Sequence, residues 1–135
     1  IFPEIVVTGQ ACPMWVPLIE NGEHLSDGAD YFVKKYIDEL LGADPKIDTL
    51  VLACTHYPLL VDKIKMHAPE HMQIISQGPI IADRLKDYLL RHPEMETRLS
   101  KKGECTFYTT ESVDKFKKSA SAFLQESIEA SHITL

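Results

Sequence analysis

Apolar residues along this chain alternate between two rhythms. Ile5-Val6-Val7-Thr8, Thr49 to Ala53, Met72 to Ser76 and Cys105 to Thr110 are short, largely apolar or β-branched runs, as expected of strands buried in a sheet. Between them lie stretches with apolar residues at helical spacing. Ser26 or Asp27 caps the first, which carries Tyr31 or Phe32, Val33, Tyr36, Ile37, Leu40 and Leu41, and Gly42 is placed to stop it. Pro58, at a first helical position, opens a helix over 59–67. Gln77-Gly78-Pro79 turns the chain into a third helix, with Ile80, Ile81, Leu85, Leu89 and Leu90. Ser112 caps a fourth, with Phe116, Ala120, Phe123 and Leu124 on one face. Gly9 to Pro17 and the polar segment from His92 to Gly103 read as loops, and His132 to Leu135 as a last short strand. Strands alternating with helices predict an α/β fold, a parallel sheet flanked by helices.

The most informative stretch runs from Asp48 to Leu60. A strand stops at Cys54, Thr55 and His56 follow, and Pro58 starts a helix. A thiol, a hydroxyl and an imidazole are thereby delivered to the carboxyl edge of the sheet, where open α/β sheets bind ligands. Cys54 has two readings: a buried structural cysteine, or a reactive thiol beside a helix start. The polar neighbours favour the second. In an extended segment residues i and i+2 project to the same side, so His56 can serve Cys54 as a proton-handling partner. Zinc is the rival use of Cys54, His56, His67 and His71. Pro69 keeps the last two off one helical face and no CxxC accompanies them, so no metal is expected. Glu20, in the loop after Pro17-Leu18-Ile19, is an ordinary surface carboxylate unless it partners His56. Cys12 and Cys105 read as packing residues, and Met14 and Trp15 as core or interface surface. Six scattered glycines form no phosphate-binding loop, so a nucleotide cofactor is unsupported.

Composition narrows the class. The 135 residues suffice for one compact domain, and 44% apolar content supports a core. A net charge of −6 disfavours a nucleic-acid partner, and no apolar run reaches the length of a membrane span. Three widely spaced cysteines suit a reducing, cytoplasmic setting. Ile1 stands where a methionine would begin a chain, which suggests a piece of something longer.

Cys54-Thr55-His56-Tyr57-Pro58-Leu59-Leu60 resembles the second cysteine motif of bacterial glutamate racemases. The run Cys12-Pro13-Met14-Trp15-Val16-Pro17-Leu18-Ile19-Glu20-Asn21-Gly22 resembles the family's upstream loop, and Phe107-Tyr108-Thr109-Thr110 its late strand. The resemblance implies a two-domain protein of parallel α/β sandwiches with glutamate held in the cleft. It implies cofactor-independent interconversion of L- and D-glutamate for peptidoglycan, with two cysteines on opposite faces of Cα. Cys54 matches the second cysteine, Thr55 a substrate-binding position, and His56 the residue that assists the cysteine and contacts substrate. Glu20 matches the carboxylate that orients the histidine. Residues 1–75 would be the second half of the racemase domain with the Cys-Thr-His motif, and 76–135 a segment returning to the other α/β domain. The family also admits a homodimer.

The departures are as informative. An Asp-Ser-Gly turn, a Pro-Tyr-Gly segment and the first cysteine's Ala-Cys-Asn-Thr stretch have no counterpart, so the chain is expected to be a C-terminal portion, inactive alone. Ala53 stands where glycine is common, and Ser76-Gln77-Gly78 replaces an Asp-Ser-Gly-like turn. A racemase for aspartate or a hydantoin, a non-catalytic regulatory module of the same fold, and, more weakly, a thiol hydrolase are the rival readings.

Overall fold

The structure is a computed structural model that describes residues 2–101 and 103–135. Ile1, leading into the first expected strand, and Lys102, within the second expected loop, lie outside the described residues. The chain divides into two compact units, one ending at Gln77 and the other beginning at Gly78.

The first unit contains α1 (Trp15–Glu20), α2 (Asp27–Ala43), β1 (Thr49–Val51), a 3₁₀ turn (Tyr57–Leu60), α3 (Val61–His67) and β2 (Gln73–Ile75). Ser26 starts α2: its extended backbone leaves the hydroxyl free to accept the Ala29 N–H at 3.2 Å, and Asp27 and Asp30 complement the helix dipole. Ala29, Val33, Tyr36, Ile37 and Leu40 form the buried stripe, and Ile64 of α3 packs into the same core, fully buried. At the polar margin of these helices, Asp30 Oδ1 lies 3.0 Å from His67 Nε2 and 3.7 Å from Lys63 Nζ. The hydrogen bond from His67 holds the Asp30 carboxyl below the usual carboxylate range; desolvation partly opposes this, and the charges of His67 and Lys63 add to it.

Gly42 does not end α2, which runs on to Ala43. Asp44 stops it instead, in an extended conformation, because Pro45 disfavours a helical residue before it. The pair β1 and β2 is parallel, with Thr49 opposite Gln73, Leu50 opposite Ile74 and Val51 opposite Ile75. One more ladder bond, Leu52 N–H to Ile75 carbonyl at 3.0 Å, extends the pairing, so both strands are shorter than the apolar runs that suggested them.

The expected strand Ile5 to Thr8 is not formed. Val6 and Val7 are 82% and 85% exposed, and Ile5 makes a local turn bond to the Phe2 carbonyl. β-branched side chains alone do not make a strand; the backbone needs a neighbouring ladder, and among the described residues this segment has none.

The second unit contains α4 (Gln77–Arg91), α5 (Pro93–Glu96), β3 (Phe107–Thr109), α6 (Val113–Leu124) and β4 (Ala130–His132). Gly78 and Pro79 lie inside the first turn of α4, where a missing N–H costs nothing, rather than in a separate turn. For the same reason Pro93 begins a helical turn within the segment read as loop. The final strand precedes its expected position. It pairs in parallel with β3, Phe107 opposite Ala130, and α6 packs on it. Thus two separate parallel pairs replace a single sheet among the described residues. α4 buries none of its residues: Ile80, Ile81 and Leu85 are each at least half exposed. No helix among the described residues is long and apolar enough to cross a membrane.

Truncating Ile64 to alanine removes the side chain that α2 and α3 enclose, and should destabilise the first unit by about 2–5 kcal/mol. Denaturant titration checks this; a loss near zero would move the core elsewhere.

Candidate active site

The chain leaves β1 after its last ladder bond and reaches Cys54 two residues later. Tyr57 N–H then bonds the Cys54 carbonyl at 3.2 Å, and Leu59 N–H the His56 carbonyl at 3.1 Å. Pro58, with no N–H to satisfy, fits the start of this 3₁₀ turn. The winding brings His56 Nδ1 to 3.8 Å from Cys54 Sγ. Thiol and imidazole therefore converge through a turn, with His56 in helical backbone geometry, and not through the extended segment that the i, i+2 argument assumed.

Glu20 comes from a different element. Trp15 to Glu20 form a short helix where a loop was expected, because Pro17 falls in the first turn, whose N–H groups lack intrahelical acceptors. Asn21-Gly22 stops it. Gly22, at φ +76°, bonds through its N–H to the Ile19 carbonyl at 3.0 Å, and Glu23 N–H reaches the Leu18 carbonyl at 2.8 Å. This is a Schellman closure, and its left-handed position calls for glycine. Glu20 is thus the last helical residue, and its Oε1 lies 3.4 Å from His56 Nε2.

The carboxylate of Glu20 beside Nε2 favours one neutral tautomer of His56. Protonated at Nε2, the ring donates toward Glu20 and leaves Nδ1 to accept from the Cys54 thiol. The thiol contact is at the long end of the hydrogen-bond range, and Glu20 meets the ring at ion-pair distance, as is usual before a substrate closes a site. Glu20 is well exposed and His56 partly so, so water screens the charge on the carboxylate. Thr55, between the two, is exposed.

The other candidates separate from this line. Cys12 is half-buried and its thiol donates to the Gln10 carbonyl at 3.7 Å; burial first, and then the charge of Glu39, push it up to about 11. Cys105 is exposed just ahead of β3, so it is neither in a strand nor a packing residue. Its apolar neighbours belong to a ladder that begins only at Phe107. His67 is engaged by Asp30, and no group of three or more His, Cys, Asp or Glu that could hold a metal occurs among the described residues.

Tyr57 is a residue that sequence reasoning passed over. Its ring meets the Trp15 ring edge-on, centroids 4.7 Å apart, and its phenol is raised by burial first, then by the proximity of Cys12, Cys54 and Tyr36. The aromatic placed directly after His56 was the available signal.

The elevated Cys12 thiol gives a pH test. At pH 8 its thiolate fraction should be about a hundredfold below that of an ordinary exposed cysteine, rising only as pH approaches 11. Alkylation followed by peptide mass spectrometry should label Cys12 last; labelling as fast as in the denatured chain would contradict its burial.

Comparison with known proteins places these features in context. No family model matches the chain. A glutamate racemase from Streptococcus uberis is 38% identical over 98% of this chain and 49% of its own. Among solved structures, glutamate racemase isoform RacE1 from Bacillus anthracis superposes with a TM-score of 0.80 at 30% identity, covering 98% of this chain and 48% of that one. Glutamate racemase from Francisella tularensis, in complex with D-glutamate, gives a TM-score of 0.80 at 25% identity, with the same coverage. The α/β fold is therefore that of these enzymes, and the chain spans about half the length of the relatives it matches.

Proposed function

We propose that this chain, a homologue of glutamate racemases along nearly all of its length, carries one of two proton-transfer faces of a cofactor-independent glutamate racemase. The observation that supports this best is the line from Cys54 Sγ through His56 to Glu20. In this reading Cys54 is the acid/base on one side of the substrate Cα. His56 takes the thiol proton at Nδ1 to generate thiolate and returns it afterwards, and Glu20 steadies the imidazolium that forms. The exposed Thr55 hydroxyl and His56 contact the substrate's polar groups.

Chemistry requires a second group. The Cα–H of an amino acid is a very weak acid, and inverting the centre means removing the proton from one face and delivering one to the other. One cysteine exchanges a proton but does not invert efficiently. Cys12 resists ionisation and Cys105 is exposed ahead of β3, so neither is assigned the second role. We assign that role to the portion of a racemase that this chain does not span. Residues 1–75 then supply the Cys-Thr-His half of the racemase domain, and residues 76–135 return to the other α/β domain of the parent. The uncovered apolar residues of α4 support the second assignment. The free cysteines suit a reducing cytoplasm, where D-glutamate would be made for peptidoglycan.

Two measurements test the reading. The 135-residue chain alone should not interconvert L- and D-glutamate by circular dichroism or coupled assay, and measurable turnover would overturn the assignment of the second base. In the full-length parent, Cys54→Ala should lower racemisation by at least about a hundredfold; unchanged turnover would remove Cys54 from the mechanism. Assaying the parent with aspartate and hydantoins separates the substrate readings.

A further inference from the structure

We infer that Trp15 is a positioning residue that sets the reach of Glu20 to His56, an inference that rests on the proton-transfer reading above. α1 is six residues long, about 9 Å, and too short to hold itself in place. Its location is fixed by two buried side chains, Trp15 and Ile19. Trp15 is 3% exposed, and its indole Nε1–H donates to the Phe32 carbonyl of α2 at 3.3 Å, using a lone pair that a helix carbonyl has to spare. The same ring meets Tyr57 edge-on and lies against Tyr36, centroids 6.1 Å apart.

One short helix therefore touches the Cys-Thr-His turn at both ends. Its first residue holds Tyr57, the immediate neighbour of His56, and its last residue presents the carboxylate to His56 itself. A directional bond from the indole N–H fixes how α1 is rolled about its axis, which apolar contact alone does not. A small change of roll displaces Glu20, whose contact with Nε2 is already 3.4 Å. Trp15 thus acts on the site through Glu20.

Trp15 is the only tryptophan of the chain, so replacing tryptophan by its sulfur isostere 3-benzothienylalanine changes this residue alone. The isostere keeps the ring's shape and removes only the donor. Trp15→Phe is the genetic counterpart, and Glu20→Ala the reference for loss of the pair. The readouts on the 135-residue chain are the His56 tautomer ratio from imidazole ¹⁵N shifts and the rate of Cys54 alkylation at neutral pH.

The Nε2–H tautomer should dominate in the unmodified chain. Glu20→Ala and the isostere should each shift the ratio toward Nδ1–H by about two- to fivefold, the scale of a partly exposed charge contact, and slow Cys54 alkylation. Melting temperature should change little for the isostere. A shift with Glu20→Ala but none with the isostere or with Trp15→Phe would overturn the role of Trp15 and leave the His56–Glu20 pair standing. No shift with Glu20→Ala would remove the pair, and the inference with it.

Discussion

The bond from Leu52 N–H to the Ile75 carbonyl is the last rung of the β1–β2 ladder, and the candidate site depends on where that ladder stops. While the backbone is committed to parallel pairing it cannot turn. Once the rung at Leu52 is made, the next residues are released, and the chain winds at once into the 3₁₀ turn headed by His56. Cys54 sits at that change of geometry. Its side chain is half-buried, within reach of the core yet not sealed into it.

What distinguishes Cys54 from the two other thiols is company more than exposure. Cys12 is also half-buried, but there burial and the charge of Glu39 favour the protonated form. Cys105 has solvent. Cys54 faces an imidazole whose far nitrogen is matched to a carboxylate on a separate helix. A set of contacts between two elements that are distant in sequence demands that both be fixed. The strand end fixes one, and the closure at Gly22 together with the burial of Trp15 and Ile19 fixes the other.

Much of this could be read in the residues. The stripe from Val33 to Leu40, the Ser26 and Ser112 caps and the sites of β1 and β2 followed from local spacing, because each is decided within a few residues. Cys54 and His56 were paired from their spacing, but Glu20 joined them only through resemblance to a known motif, since nothing in spacing reveals that α1 folds back on the 3₁₀ turn. The failures share a cause. Ile5 to Thr8 has strand composition without a ladder, α1 and α5 use prolines that sequence rules treat as breakers, and Gly42 yields to Pro45 in stopping α2. In each case a nonlocal partner, or the tolerance of a first turn for proline, outweighed the residue's own preference.

The unpaired run Ile5-Val6-Val7-Thr8 has a consequence for handling the molecule. Four uncharged residues of high strand propensity, with no proline among them and most of their surface in water, are a template for edge-to-edge association between copies. With α4 also presenting isoleucines and leucine to solvent, solubility at high concentration rests on the net charge of −6. Salt that screens this repulsion, or acidity that approaches the isoelectric point near 5.4, therefore favours aggregation over any change in fold.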